Sequence, residues 1–316
     1  MLPRESNVRI SIVVPHLGDV VAFEESLVSV LENRPSGAEV WVAHDGTYQD
    51  PFELGDEVRF VTAGSNNLAT LVAAAAQVAT SRVVHVIGGG VRATHDWTRS
   101  AIECLQDESV AMVAPIARVD VDGPITAAGW CDSSTDVISP LGRGASQITR
   151  RQAASIRGAY LIASFWRSSE LRSACRAFGL PDAVAAEFAW TRLLTDNGWR
   201  CELASESVVL AGEETLLPPP SFHRGQTLRS LSSEIDQRSA FAPVAIAAIA
   251  NGLSPSRLVS PRSWAQTLGQ LSTLVRETAA VRAIRYDQIA SPAEEAATLP
   301  LTRPVQVETM PLRRAA

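Results

Sequence analysis

The sequence predicts an α/β fold built on a mostly parallel, Rossmann-like sheet with flanking helices. Through the first 120 residues, short runs rich in β-branched residues alternate with segments whose apolar residues recur at helical spacing. The run VVHVI (Val83–Ile87) shows no alternation of apolar and polar residues, as is typical of strands covered on both faces. With 46% apolar residues among 316 and a mean hydropathy of +0.06, the chain can bury a large core and is not disordered as a whole.

The predicted elements follow one another with little intervening sequence. The predicted strands are Ile10–Val14, Ala38–Ala43, Val58–Val61, Val83–Ile87, Val110–Ile116 and, further on, Trp199–Leu203 and Ser207–Leu210. Predicted helices cover Phe23–Leu31, Leu68–Ala79, Trp97–Leu105, Leu171–Phe178 and Ala183–Asn197. Gly198 is the expected C-cap of the last of these helices.

A run of three prolines, Pro218–Pro220, marks a predicted boundary. We expect residues 1–220 to form the sheet domain, residues 221–290 a C-terminal helical extension, and residues 291–316 a flexible tail rich in Pro, Ala and Arg. The polar first nine residues do not resemble a signal peptide. The longest apolar stretch, Phe241–Ala250, is far shorter than the roughly 20 residues that span a bilayer. We therefore expect a cytoplasmic protein, with contact at the inner face of the membrane as an open alternative.

The charged and metal-binding residue types exclude several function classes. All 28 basic residues are arginines, which excludes lysine Schiff-base chemistry and a P-loop lysine but leaves anion binding by arginine open. A codon bias toward arginine explains the absence of lysine equally well. The net charge of −6 disfavours nucleic-acid binding. The four cysteines form no CxxC pair and the five histidines no HxxxH or HxH spacing, so neither a disulfide framework nor a local zinc site is expected.

Two candidate ligand-binding features directly follow predicted strands, where open α/β sheets bind ligands. The first is HDGTYQD, in which Asp45 could accept hydrogen bonds from a base or ribose and Gly46 would allow close approach; the alternative is an ordinary Asp-Gly turn. The second is Gly88–Gly90, which implies that a ligand or another chain segment passes closely, or that a tight turn needs positive φ.

Two further features concern charged side chains. Glu187 borders the apolar stripe of its predicted helix, so a desolvated carboxylate with a raised pKa could serve there as general base; the alternative is a glutamate that reaches solvent. The arginines Arg143, Arg150 and Arg151 could clamp a diphosphate; the alternative is a solvated basic loop.

Taken in order, these segments resemble family-two glycosyltransferases of the GT-A fold over about residues 8 to 212. The opening strand SIVVP and the later AHDGT match the family's SIVIP and DDGS patterns, with His44 in place of the first acidic residue. The stretch from Ser65 to Trp97 follows the family's course of an Asn-containing segment, an Ala-rich helix and a strand that ends in a DxD motif. Similar agreement extends through PIARVDVDGPITAAGW, RGAYLIASFWRSSEL and AEFAWTRLLTDNGWR.

The resemblance implies binding of a nucleotide sugar of the UDP, GDP or dTDP type and transfer of the sugar to a glycan or lipid-linked hydroxyl acceptor. It implies that Asp45 contacts the nucleotide and that Glu187 is the general base. Mg²⁺ or Mn²⁺ is expected for the family, but its DxD motif aligns with Gly88–Gly90, which offers no carboxylate, so no metal ligand is assigned. The alternatives are a catalytically inactive binding or scaffolding protein with this fold, and a nucleotide-binding α/β protein unrelated to sugar transfer.

Overall fold

A computed structural model of the chain describes residues 10–51, 53–133, 136–179, 182–217, 219–235, 261–273 and 289–293. The strands are β1 (Ile10–Pro15), β2 (Glu39–His44), β3 (Arg59–Thr62), β4 (Val83–Ile87), β5 (Val91–Ala93), β6 (Val110–Arg118), β7 (Ile125–Ala127), β8 (Trp130–Ser133), β9 (Val137–Pro140), β10 (Ala163–Arg167) and β11 (Arg200–Ala211). The helices are α1 (Val20–Asn33), α2 (Leu68–Val78), α3 (Arg99–Cys104), α4 (Arg150–Ala153), α5 (Ser168–Ala177), α6 (Ala183–Asp196), α7 (Glu213–Leu216), α8 (Phe222–Ile235) and α9 (Pro261–Ser272), with a 3₁₀ turn at Leu54–Asp56.

Within the described residues, nine strands form one sheet in the order β3-β2-β1-β4-β10-β6-β11-β5, with β7 paired to β6. Strands β1 to β4 run parallel, and β6 runs parallel to β11. Strand β10 is antiparallel to both β4 and β6 and joins the two parallel halves. The predicted mostly parallel α/β sheet is therefore confirmed, and strands β1 to β4, β6 and β11 run with their carboxyl ends at a common edge.

Two details of the sheet correct the sequence-based prediction. Strand β10 was not predicted, because a short apolar run without flanking turn residues carries little strand signal. The two predicted strands Trp199–Leu203 and Ser207–Leu210 are one strand, β11. Its pairing with β6 is irregular between Ala204 and Val208, and the polar residues at this irregularity imitate a break in the sequence.

Local sequence explains how the helices begin and end. Asp19, Asn67 and Asp182 accept hydrogen bonds from the first-turn N–H groups of α1, α2 and α6, as side chains at the N-cap position do. The C-cap of α6 is Asn197, one residue before the expected Gly198, and Gly198 follows it with φ of +90°, the left-handed conformation common just after a helix end. These caps fix the register of α6, the helix that carries Glu187.

The region beyond Pro220 is described only in part. Leu228 and Leu231 of α8 are buried in the same core as the central sheet, and α8 crosses α9 closely at Gly225 and Gly269. The remainder of the predicted extension, the apolar stretch Phe241–Ala250, the predicted tail beyond residue 293 and the first nine residues lie outside the described residues. Of the helices that are described, none is long and apolar enough to cross a membrane.

Candidate functional site

The carboxyl ends of β1, β2 and β4 lie side by side. Pro15 pairs with Ala43 across β1 and β2, and Val13 pairs with Val86 across β1 and β4. The segments that follow these strands therefore leave the same edge of the sheet. This brings two of the sequence-predicted features, Asp45–Gly46 and Gly88–Gly90, to that edge.

Asp45 sits in a turn that its own side chain stabilises. Its Oδ1 accepts hydrogen bonds from the Thr47 backbone N–H at 3.0 Å and from the Thr47 hydroxyl at 2.6 Å. These bonds hold the pKa of the Asp45 carboxyl below its usual value, so the group is ionised at neutral pH. Gly46 has φ of +95°, a conformation that favours glycine. The turn is thus the Asp-Gly turn that the sequence offered as one alternative, and contact with a nucleotide stays a prediction.

Gly88–Gly90 is packed against three other parts of the chain. The Gly88 N–H donates to the Ile162 carbonyl at 2.9 Å, and the Gly90 N–H donates to the Ala22 carbonyl at 3.1 Å. A Cβ on Gly88 would overlap the side chain of Ile162, and one on Gly90 would lie 3.0 Å from the Thr215 hydroxyl. Gly90 also has φ of +83°. Two of the explanations offered from the sequence therefore apply: another chain segment passes closely, and the turn has a positive φ.

The residues present do not fit a divalent cation at this position. A metal ion that bridges to a diphosphate needs hard oxygen ligands, and Gly88–Gly90 supplies no carboxylate. The space that a side chain at Gly88 would need is filled by Ile162. Elsewhere in the part of the chain that the structure describes, histidine, cysteine and acidic side chains form no group of three that could hold a metal ion.

Glu187 is buried on α6, with 3% of its surface exposed. Its Oε2 accepts a hydrogen bond from the Leu161 N–H at 2.6 Å, whereas its Oε1 has no hydrogen-bond partner among the described residues. Burial raises the pKa of Glu187 to about 8, although the Leu161 hydrogen bond and the charge of Arg224 act in the opposite direction. The predicted desolvation and raised pKa are confirmed. Its role as a base stays a prediction.

One short segment, Tyr160–Ile162, connects Glu187 to Gly88. The Leu161 N–H donates to the Glu187 carboxylate, and the carbonyl of the following residue, Ile162, accepts from the Gly88 N–H. Tyr160 is buried, and burial together with the charge of Glu187 raises the pKa of its phenol well above the usual value. Glu187 and Gly88 are therefore two hydrogen bonds apart through this segment.

The structure separates the three predicted diphosphate arginines. The Arg143 guanidinium pairs with both carboxylate oxygens of Glu213, the first residue of α7, and Thr215 of the same helix lies against Gly90. By contrast, Arg150 and Arg151 lie exposed on α4, a helix that begins with a capping box at Thr149.

The far end of α4 borders a different part of the molecule. Ala153 and Ala154 line a cavity of about 610 Å³ together with Trp199 and the first residues of β11, Arg200–Leu203. The structure therefore links Arg143 to Gly88–Gly90 through α7 and shows no such link for Arg150 and Arg151.

Two side chains beside Asp45 were not singled out from the sequence. His16 is buried at the end of β1, and its ring lies 5.1 Å from that of Tyr48. Among the described residues, the two ring nitrogens of His16 have no hydrogen-bond partner, and neither does the Tyr48 hydroxyl. Burial lowers the pKa of His16 although the Asp45 charge opposes this, so the ring is neutral at pH 7. The available signal was that His16 directly follows the strand run SIVVP.

The strand order, with antiparallel β10 between two parallel halves, defines the class of the fold as that of the GT-A glycosyltransferases. The solved structures that it resembles include the mannosyltransferase PcManGT from Pyrobaculum calidifontis in complex with GDP-mannose and Mn²⁺, at 15% identity and a TM-score of 0.51 over 85% of this chain and 86% of that one. Another is S. aureus TarS, residues 1–349, at 13% identity and a TM-score of 0.51, in a match that covers 84% of this chain and 81% of the TarS chain.

A further similar structure is GalNAc-T7 with UDP, GalNAc and Mn²⁺, at 12% identity and a TM-score of 0.53. The match covers 83% of this chain and 54% of the GalNAc-T7 chain. No protein-family model matches the sequence, and neither does any curated protein. At these identities the likeness establishes the fold.

Proposed function

We propose that this protein binds a nucleotide-diphosphate sugar and transfers the sugar to a hydroxyl acceptor, with Glu187 as the general base. The observation that carries the proposal is the state of Glu187: it is buried, one oxygen is anchored by the Leu161 N–H, and the other has no hydrogen-bond partner among the described residues. A carboxylate held in this way has a fixed orientation and one lone pair available for an incoming proton. The GT-A fold and the nucleotide-sugar complexes of similar structures support the choice of donor.

In the proposed step, the acceptor oxygen forms a bond to the anomeric carbon of the donor sugar. The bond from that carbon to the diphosphate oxygen breaks, and the nucleoside diphosphate leaves with the electron pair. The acceptor proton passes to the Oε1 of Glu187. A base with a pKa of about 8 matches this task at slightly alkaline pH, because it binds the proton firmly and is still partly ionised.

The edge of the sheet formed by β1 and β2 would take the nucleotide. Asp45 is ionised there, and the unpaired polar atoms of His16 and Tyr48 offer hydrogen bonds to a ligand. Gly88–Gly90 offers no carboxylate to a divalent cation. The charge of the diphosphate would instead be met by arginine, among Arg143, Arg150 and Arg151.

The test is binding and turnover with a panel of UDP, GDP and dTDP sugars, with EDTA and with Mn²⁺. We expect Glu187→Gln to keep nucleotide binding and to lower turnover by about 10²- to 10⁴-fold, the range for loss of a general base. Turnover of the unaltered protein should rise with pH and level off above about pH 8, because the base must be ionised. Turnover that survives in Glu187→Gln would contradict the assignment of the base.

A matched control is Glu170→Gln. Glu170 is also buried, but it lies on α5, directly after β10. The end of β10 pairs with the start of β4, whereas Gly88 follows the end of β4, so the two residues lie at opposite edges of the sheet. This variant should keep turnover and the pH profile. Thermal unfolding of both variants checks that each is folded at the assay temperature.

One observation favours a second candidate, a binding protein of this fold without transferase activity. The position of the family's DxD motif is closed by Ile162 and Thr215. Nucleotide binding by the unaltered chain without turnover of any donor would favour this function over the transferase.

A further inference from the structure

We propose that Arg143 is the cation that binds the diphosphate of the donor, and that Glu213 holds its place as an internal anion that the diphosphate displaces. The inference rests on the proposed function, because it takes the ligand to be a nucleoside diphosphate. The inference goes beyond the proposed function because it selects one of the three arginines and assigns a role to Glu213, a residue that the sequence alone did not single out.

The turn that carries Arg143 is rigid. Gly142 and Gly144, on either side of Arg143, have φ of +72° and +76°. Backbone hydrogen bonds join Gly144 N–H to the Ile125 carbonyl and Ile125 N–H to the Ala145 carbonyl, both at 2.8 Å. An arginine presented from such a turn needs little further ordering to bind an anion, so less affinity is lost to entropy.

The ion pair with Glu213 links this arginine to the turn at Gly88–Gly90. Its partner Glu213 belongs to α7, and Thr215 on that helix lies against Gly90. The positive charge of Arg143 also acts on buried Tyr160, the residue before Leu161. Arg143 is therefore linked through α7 to the position that lacks a metal site.

The ion pair with Glu213 is suited to exchange. The side chains of Arg143 and Glu213 are 55% and 53% exposed, so solvent screens their attraction. The guanidinium uses both Nε and Nη2 to bind the two carboxylate oxygens, the same two-pronged geometry with which arginine binds phosphate. A diphosphate carries more negative charge than one carboxylate and can replace it without a new conformation of Arg143.

The experiment is titration calorimetry of the full chain with UDP, GDP and dTDP and with inorganic diphosphate, in EDTA. We expect Arg143→Ala to weaken nucleoside diphosphate binding about tenfold or more, as for loss of a bidentate charged contact. Glu213→Gln should tighten binding about two- to fivefold, because it removes the competing anion. Glu213→Gln should have no such effect when Arg143 is already alanine, since the two residues act as a pair.

The matched controls carry the same charge changes elsewhere. Arg82→Ala removes an exposed arginine just before the amino end of β4, away from Gly88, and Glu214→Gln alters the exposed neighbour of Glu213 on α7. Both should bind like the unaltered chain, within about twofold. Inorganic diphosphate should show the same order of variants as the nucleotides, which would place the effect on the phosphates and not on the base.

The outcomes separate the two proposals. If the unaltered chain binds nucleotides and Arg143→Ala binds them equally well, the inference fails while the proposed function stands. If nucleotide affinity falls in Arg150→Ala or Arg151→Ala but not in Arg143→Ala, the inference about Arg143 also fails and the proposed function stands. If no nucleotide binds to the unaltered chain with EDTA or with Mn²⁺, both are overturned.

Discussion

The segment Tyr160–Ile162 has two neighbours that differ in every property relevant to catalysis. On one side, Leu161 binds Glu187, a buried carboxylate with an oxygen that has no partner among the described residues. On the other, Ile162 fills the space beside Gly88, where the aligned family motif would place a carboxylate. The first neighbourhood contains a buried acidic side chain, whereas the second contains glycines and tight packing without an acidic side chain.

This difference bears on which step of the proposed reaction each neighbourhood could support. Burial of a carboxyl group with one unpaired oxygen costs stability, so a purely structural role for Glu187 would be served better by an apolar residue. The packing around Gly88–Gly90 is complete without a ligand. In the proposed reaction, Glu187 would therefore activate the acceptor, while neutralisation of the diphosphate would come from another part of the site.

The largest expected effect is on the Glu187 side. The pKa of about 8 in the folded state compares with 4.5 for an unperturbed glutamate, so the folded protein binds a proton that the unfolded chain releases. The loss in free energy of unfolding that Glu187 causes is absent below about pH 4.5 and grows by about 1.4 kcal/mol per pH unit above it. This loss reaches its full size above pH 8. Glu187→Gln should therefore stabilise the protein by on the order of 4 kcal/mol at pH 8 and by little at pH 5.

Chemical denaturation at pH 5 and pH 8 measures this difference. Glu170→Gln is again the control, measured at the same two pH values. If the stability of Glu187→Gln relative to the unaltered chain does not change with pH, then Glu187 is not held protonated by burial. The contrast between the two sides of Tyr160–Ile162 would then disappear.

An intermediate effect is expected on the Gly88 side. Gly88→Ala should destabilise the fold by about 2 kcal/mol, because the new Cβ overlaps Ile162. At Gly89 a Cβ would make an ordinary contact of 3.4 Å with the Phe23 nitrogen, so Gly89→Ala is the matched control and should cost less than about 0.5 kcal/mol. Urea unfolding of both variants provides the comparison.

A double variant identifies the cause. In the background of Ile162→Ala, Gly88→Ala should lose most of its cost, because the atoms that it meets are gone. Equal tolerance of alanine at Gly88 and Gly89 would show that the space is open. A side chain at the motif position would then be possible after all.

The sequence predicts those features of the two neighbourhoods that depend on residues close together in the chain. Strands β1 and β4 were predictable because burial on both faces favours β-branched and apolar residues along the whole strand. The burial of Glu187 was predictable because its helical neighbours Trp190 and Leu194 define the apolar stripe. Both signals are local in the chain.

The closed state of Gly88–Gly90 was not predictable, because Ile162 and Thr215 lie far along the chain and nothing in the glycine run encodes them. The same reason explains why Arg143 could not be distinguished from Arg150 and Arg151. The three arginines lie close in sequence, but separate elements carry them, and only the fold brings α7 between Arg143 and Gly90.

The smallest expected effect concerns the ion pair beside these two neighbourhoods. Arg143→Ala and Glu213→Gln should each change the free energy of unfolding by less than about 1 kcal/mol, because both side chains are more than half exposed. Thermal unfolding at low and high salt measures this, with Arg82→Ala and Glu214→Gln alongside. A loss of several kcal/mol in Arg143→Ala would make the pair a structural clamp, and a change in nucleotide affinity could then reflect an altered fold. A small change in stability leaves the guanidinium available for exchange, so that a loss of diphosphate affinity in the same variant reports the contact itself.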